Sequence, residues 1–340
     1  MQKILVICPQ IGKILEGKPA GGAEGRALMI FRNYKNTRFL ISSKKKSKNN
    51  KSQNKFIYIK NTISDFNNIA SVIKQSDIIL FFALSKFSYI YFYLAKLYNK
   101  KIIYFIASNA DVGLYLKESS FYYRYVPKLV FPIVDIFICQ TELQKKQLKY
   151  NKPTYVLPNP TNITKVIKHN NPNYILWIGR NNKVKGVDIL EKTIKQLPDI
   201  KFKIIGVKSK ILESYKNIET LGRINPNKMP KYFNSAVLYI NTSYSEGYSN
   251  TTLEAFSNKT PVISYSANPD NLLEKSNGGY CANGDLQKFI SLIKENYFKK
   301  DKLKKMGESG YLYIKNNNNL KTIKNKIEDI FYKNNIKLEK

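Results

Sequence analysis

The sequence predicts an α/β protein made of two open, parallel-sheet domains in series. Three observations carry that prediction. The chain has 340 residues, more than one ordinary core fills. Short, wholly apolar runs alternate with helix-length segments, the pattern of a parallel sheet covered on both faces. A proline-containing break at 158–172 interrupts the alternation, which then starts again.

In the first half the strand candidates are KILVIC (3–8), RFLISS (38–43), KFIYIK (55–60), DIILFFA (77–83), KIIYFIA (101–107), DIFICQ (135–140) and PTYVLPN (153–159). Helix-length stretches lie between several of them, at 23–34, 64–75 and 86–99. The lysine- and serine-rich run at 43–55 reads as a solvated loop without chemistry. After the break the series resumes with NYILWIGR (173–180), KFKIIGV (201–207), IETLGRI (218–224), AVLYINTS (236–243) and TPVISYS (260–266). From about residue 285 the chain is helical and charged. The expected layout is a first domain at 1–160, a linker at 161–172, a second domain at 173–310, and a helical tail at 311–340 free to pack back on the first domain. Open α/β sheets bind ligands at the carboxyl ends of their strands, so with two in series the expected site is the cleft between them.

Lys and Arg number 57 against 24 Asp and Glu, a formal net charge of +33. A charge of that size suits a polyanion or an anionic membrane. Only six of the basic residues are Arg, at 26, 32, 38, 124, 180 and 223. A phosphate-reading face uses Arg forks as well as Lys points. The excess therefore reads first as a surface bias, next as attraction to an anionic membrane, and last as nucleic-acid binding. The aromatic residues fall mainly in apolar runs, where core packing accounts for them, so no nucleic-acid partner is expected.

Cys8, Cys139 and Cys281 lie far apart with no Cys-x-x-Cys, which predicts buried reduced thiols in a cytoplasmic protein. MQKILVICPQ reads as a first strand, not a signal peptide. The apolar stretch at 77–97 is broken by Ser85, Lys86 and Ser88, as a strand followed by a helix would be, not a membrane span. The one histidine, His169, lies in the expected linker. That argues against a His-assisted triad or a His-based zinc site.

Three stretches carry candidate chemistry. In SYSEGYSNTTLEAFSNKTPVI (243–263), Glu246 and Gly247 follow a strand, and Ser249, Asn250 and Thr251 offer caps for a helix. A helix start at a strand end presents unpaired amides and the positive end of a dipole, which makes an anion site. Glu254 lies on that helix; the competing reading makes it half of a capping box with Thr251. In WIGRNNKVKGVDIL (177–190) a strand runs into Gly179 and Arg180, and a loop carries Lys183, Lys185 and Gly186 before a helix. Arg180 can fork two phosphate oxygens while Lys185 supplies a point charge; Lys183 reads as a bystander. In GKPAGGAEGRAL (17–28), Gly21 and Gly22 precede a helix, without the spacing of a dinucleotide fingerprint or a P-loop. A polar cluster, Ser108, Asn109 and Asp111, follows the strand at 101–107 and is explained equally well as a turn.

Together GGAE (21–24), LPNP (157–160), IGRNNKVKG (178–186) and EGYSNTTLEA (246–255) resemble the retaining GT-B glycosyltransferases of family 4, glycosyl transferases group 1, which build lipopolysaccharide, capsule and other glycans. The resemblance covers nearly the whole chain and implies two Rossmann-like parallel-sheet domains facing across a cleft. It implies that Arg180 and Lys185 hold the donor diphosphate and neutralise the leaving group, and that Glu246 sits at the donor sugar. Glu254 would bind the ribose hydroxyls. The segment Gly247, Tyr248, Ser249, Asn250 and Thr251 would meet the sugar or distal phosphate with its amides, beside Gly179, and Gly22 would approach from the first domain. Two departures stand out: Ser108, Asn109 and Asp111 occupy the loop where many relatives have a histidine, and SANPDN (266–271) replaces a glycine pair and a Glu.

The function so implied is transfer of a sugar, with retention, from a UDP- or GDP-sugar to a glycan or lipid-linked acceptor in cell-surface polysaccharide synthesis. No cofactor or metal is expected, and no Asp-x-Asp motif occurs. The expected place is the cytoplasm or the cytoplasmic face of the inner membrane, where the aromatic stretch at 120–131 with Lys117, Arg124 and Lys128 offers either membrane contact or ordinary helix packing. A sugar-nucleotide epimerase of the same fold and a non-catalytic sugar-nucleotide-binding scaffold remain as alternatives.

Overall fold

The computed structural model describes residues 2–8, 10–17, 21–42, 55–60, 64–84, 88–114, 121–163, 172–207 and 214–340. Nearly all of the lysine-rich loop, Lys117, His169 and most of the expected linker lie outside these residues. The chain divides into two compact units, residues 1–160 with 320–340, and residues 161–319.

The first unit holds seven parallel strands: β1 (Ile4–Ile7), β2 (Thr37–Ser42), β3 (Phe56–Ile59), β4 (Ile78–Phe82), β5 (Lys101–Phe105), β6 (Ile136–Cys139) and β7 (Thr154–Val156). Their order across the sheet is β3-β2-β1-β4-β5-β6-β7. Between them run α1 (Ile11–Leu15), α2 (Gly22–Phe31), α3 (Phe66–Lys74), α4 (Ser88–Leu97), α5 (Phe121–Val130) and α6 (Glu142–Gln147). Successive strand residues point to opposite faces, and both faces are filled: Ile4 and Val6 enter one core, Leu5 and Ile7 the other. This is why the strands read as unbroken apolar runs.

The second unit repeats the plan with β8 (Tyr174–Ile178), β9 (Phe202–Ile205), β10 (Ile218–Thr220), β11 (Ala236–Asn241), β12 (Val262–Ser264) and β13 (Gly279–Cys281), all parallel in the order β10-β9-β8-β11-β12-β13. Its helices are α7 (Val187–Lys195), α8 (Met229–Asn234), α9 (Asn250–Ser257), α10 (Leu272–Lys275), α11 (Leu286–Tyr297) and α12 (Lys300–Asn317). The strand order reverses direction between β8 and β11, which are hydrogen-bonded neighbours. A crevice at the carboxyl ends of such a pair is where open sheets take ligands.

The sequence reading ends the second domain at 310, but α12 continues to Asn317 and the chain changes unit between residues 319 and 320. The last helix, α13 (Leu320–Lys333), belongs to the first unit. Its stripe of Ile323, Ile327 and Phe331 enters the core beside Phe31, and Phe331 stacks on the Phe31 ring with centroids 5.9 Å apart. The Glu328 carboxylate accepts from the Tyr34 hydroxyl at 2.7 Å, and the Lys35 amide donates to the Glu339 carbonyl at 2.7 Å. Each large apolar side chain so buried contributes about 1.5–3 kcal/mol.

All three cysteines are free and buried. Loss of hydration raises each thiol, Cys139 to about 12. Among the described residues no helix is long and apolar enough to cross a membrane.

Candidate active site

Two loops meet at the carboxyl ends of β8 and β11. The first begins at Gly179, where a Cβ would stand 2.5 Å from the Trp177 ring; only glycine lets the chain turn over that indole. Asn182 caps the short turn Lys183–Lys185, its Oδ1 accepting from the Lys185 amide at 2.9 Å. Gly186 then takes the left-handed conformation, φ 60° and ψ 49°, and starts α7.

The second loop is stitched to the first by hydrogen bonds. The Trp177 Nε1–H donates to Thr242 Oγ1 at 2.8 Å, and that hydroxyl donates to the Lys185 carbonyl at 2.7 Å. The Tyr244 amide donates to the Val184 carbonyl at 2.9 Å, and the Tyr244 hydroxyl donates to Asp188 at 2.6 Å. Each such bond is worth about 1 kcal/mol net, and together they fix the Lys185 turn against the end of β11. The Lys185 ammonium therefore forms an ion pair with Glu246 Oε1, which also accepts from Ser243 Oγ at 2.9 Å. The two charged side chains keep only 19% and 16% of their exposure. The pair is thus far better sheltered than a surface salt bridge, and its electrostatics are correspondingly stronger.

Ser249 is the N-cap of α9, its Oγ accepting from the Thr252 amide at 3.4 Å. The capping-box alternative for Glu254 does not survive, because Thr251 lies inside the helix and its hydroxyl accepts from Tyr239 at 3.0 Å. Glu254 instead sits on a solvent-facing position of α9. Protein packed around it strips hydration and pushes its carboxyl up to about 7. Tyr248 is buried, and its hydroxyl accepts from Asn318 Nδ2 at 3.2 Å, so its side chain anchors the loop. Gly247 and Asn250 are half-buried beside it. Arg180 is exposed at the end of β8, and among the described residues its guanidinium has no ion pair.

Sequence reasoning thus names residues of the second unit that the fold brings to one place: Gly179, Arg180, Lys185, Glu246, Gly247 and the start of α9. It misses their supports. Ser243 and Thr242 carry no signal in sequence, since their roles arise only when β11 lies beside β8. Asn182, an N-cap type three residues before Lys185, is a signal that capping rules recognise.

The remaining candidates lie in the first unit. Gly22 opens α2, with Gly21 as its N-cap and no side-chain cap. Asp111 is fully engaged: its carboxylate accepts from the Ala107 amide (2.8 Å), the Tyr104 hydroxyl (3.0 Å) and the Ser108 amide (3.3 Å) and hydroxyl (3.0 Å). Asn109 accepts from Gln144 Nε2 at 3.0 Å. These contacts make the cluster a built turn, the plainer of its two readings. Arg26, not singled out in the sequence, is buried with its guanidinium donating to the carbonyls of Ile106 (3.3 Å) and Leu157 (2.6 Å). It ties the ends of β5 and β7 together, and desolvation lowers it to about 9.

Residues 172–297 match the family model described as Glycosyl transferases group 1. No curated protein matches the chain in sequence. Among solved structures, Anabaena HepE in complex with UDP and glucose aligns with a TM-score of 0.76 at 15% identity, covering 98% of this chain and 100% of that one. Sucrose-phosphate synthase from Thermosynechococcus elongatus aligns at 0.77 and 14%, covering 98% and 99%. A glycosyltransferase from Rickettsia africae aligns at 0.70 and 16%, covering 98% of each chain. At such identities the structural likeness is one of fold, and it extends over both units. The second unit carries a glycosyl transferases group 1 domain, and the chain as a whole has the GT-B fold of two parallel-sheet α/β domains.

Proposed function

We propose that the second unit binds a nucleoside-diphosphate sugar and that the chain transfers the sugar, with retained anomeric configuration, to a glycan or lipid-linked acceptor. The observation that carries this reading is the sheltered Lys185–Glu246 pair, on loops that also hold Arg180, just after β8, and lead into the N-terminus of α9. A cation and an anion held side by side suit a ligand with a charged diphosphate and a hydroxyl-rich sugar. Arg180 and Lys185 receive the diphosphate, and the amides from Gly247 to Thr251 add donors and the helix dipole. Glu246 accepts from sugar hydroxyls, and Glu254 from those of the ribose. The acceptor attacks on the face from which the diphosphate departs, and a phosphate oxygen takes its proton. The protein's main contribution is electrostatic: cations already in place where leaving-group charge develops. The proposal includes no metal, since these cations offset that charge. UDP is the first base to test, because HepE is solved with UDP-glucose. A role in cell-surface polysaccharide synthesis, in the cytoplasm or at its membrane face, completes the reading.

The test is a panel of UDP-, GDP-, ADP- and CMP-sugars with and without membrane lipid extract, following nucleotide release and the anomeric form of the product. Release of one nucleoside diphosphate with sugar transferred in the donor's configuration is the expected result. Rearranged sugar nucleotide without an acceptor product would make the chain an epimerase, and binding without turnover a scaffold.

Glu254 gives this reading a pH signature. With its carboxyl raised to about 7, it becomes a full acceptor for ribose hydroxyls only as pH rises through that value. Donor affinity, measured by calorimetry from pH 6 to 8, is expected to tighten with pH in the wild type and to stay flat in Glu254→Gln. Stability runs the other way. The folded carboxyl holds its proton more tightly than the unfolded one, so its contribution is full below the ordinary 4.5 and is lost as pH rises through about 7.

A further inference from the structure

A tyrosine ring buried in a core still has to find its hydroxyl a partner. Tyr239 of β11 is 1% exposed, and its ring packs against Phe233 with centroids 5.9 Å apart. In sequence it reads only as one more core residue of its strand. Its hydroxyl reaches the first turn of α9 and donates to Thr251 Oγ1 at 3.0 Å. Burial first, and then the nearby carboxylates of Glu246 and Glu254, raise the phenol far above its ordinary value, so it keeps its proton.

A second bond of 3.1 Å joins Thr251 Oγ1 to Ser249 Oγ, and either oxygen can donate in it. Tyr239, Thr251 and Ser249 thus bring three hydroxyl protons, and two of them lie in these bonds. One is left over whichever way the pair is turned, and among the described residues no group accepts it. Ser249 is 2% exposed and already accepts from the Thr252 amide, whereas Thr251 is half-buried. A ligand can reach the spare proton when Tyr239 and Ser249 both donate to Thr251. Both acceptor positions of Thr251 are then filled, and its hydroxyl can only donate. Such a group suits an oxygen that carries no proton of its own, which describes a phosphate and not a sugar hydroxyl.

We infer that Tyr239 is a positioning residue, whose bond to Thr251 aims the Thr251 hydroxyl as a fixed donor at a phosphate oxygen of the nucleoside-diphosphate sugar. The inference rests on the donor-site reading above. It adds to the backbone amides a side-chain donor and the buried phenol that sets its direction. A hydroxyl oriented before the ligand arrives loses little freedom on binding. In Tyr239→Phe the ring and its packing stay, but Thr251 is free to turn its proton toward Ser249.

The test is calorimetric titration of the full chain with UDP, GDP and ADP, and then of the variants with the diphosphate that binds wild type most tightly. Thr251→Val is expected to weaken binding by ~10-fold and Tyr239→Phe by ~3–10-fold. The double variant should fall no more than about twofold below Thr251→Val, and Thr251→Ser should stay within about twofold of wild type. The matching nucleoside, which has no phosphate, should shift by less than about twofold in every variant. Multiplicative losses, or equal losses for nucleoside and diphosphate, would make Tyr239 a packing residue and overturn the inference. So would a Tyr239→Phe protein that binds the diphosphate as wild type does. Lys185→Ala separates this inference from the reading beneath it. If that variant weakens binding and Tyr239→Phe does not, the hydroxyl chain alone falls. A protein that takes no nucleoside diphosphate, or takes it regardless of Lys185, loses the donor site and the hydroxyl chain together. Far-ultraviolet circular dichroism checks the fold, and if Thr251→Val fails that check, Thr251→Ala takes its place.

Discussion

Lys185→Ala is expected to lower the rate of nucleotide release from the cognate sugar nucleotide by about 10²–10³-fold while the protein stays folded. The cation is held where a departing diphosphate would gather charge, by a turn fixed through Asn182, Thr242 and Gly186. Its removal deletes a stabiliser already in position. The same change removes the Lys185 ammonium from the Glu246 carboxylate, so the double variant Lys185→Ala/Glu246→Gln should lose much less than the product of the two single losses. Steady-state rates on the donor identified by the panel give both quantities. A loss below about threefold for Lys185→Ala would remove this lysine from the leaving-group role, and strictly multiplicative losses would mean that the ion pair does not act as a unit.

Gly186→Ala should be strongly destabilising, costing about 2–4 kcal/mol in the second unit. Two effects add. At φ 60° an L-residue pays the left-handed penalty, about 1–2 kcal/mol. The new Cβ would also stand 2.1 Å from the Thr242 carbonyl oxygen, a backbone atom directly after β11 that cannot swing aside as a flexible side chain could. Relief comes only by moving the Lys185 turn, so donor binding should weaken together with stability. Gly25→Ala is the contrast: it lies in α2 with open space where its Cβ would go, and should be neutral or stabilising by up to about 1 kcal/mol. Urea unfolding followed by circular dichroism compares the two, and a Gly186→Ala protein within about 0.5 kcal/mol of wild type would contradict this account of the turn.

Most of the architecture is legible in the sequence because the sheets are parallel and covered on both faces. Twelve of the strands announce themselves as apolar runs, among them KILVIC and AVLYIN. β13 does not, since Gly279, Tyr280 and Cys281 are too few and too mixed to stand out. The tail's stripe of Ile323, Ile327 and Phe331 is readable as an amphipathic helix, but which core it enters is a tertiary fact. In the site, the charged groups are legible because Arg is scarce and each lies just after an apolar run. What holds them is not. Trp177 reads as core, and its link through Thr242 to Lys185 exists only because β8 and β11, 57 residues apart at Lys185 and Thr242, are neighbours in the sheet. Glu254 shows the opposite case: sequence offers a capping partner in Thr251, and the helix begins two residues too early for that partnership to form, with Ser249 as its N-cap.

The return of α13 to the first unit bears on the order in which the chain is made. Residues 1–160 leave the ribosome early, yet the core around Phe31 and Tyr34 is closed by Ile323, Ile327, Phe331 and Ile336, which are synthesised after the entire second unit. The first unit must therefore wait with an open apolar seam while its successor folds. A nascent chain stopped before residue 320 would expose that seam to chaperones and to other copies of itself, and an isolated 1–160 fragment would carry the same defect permanently.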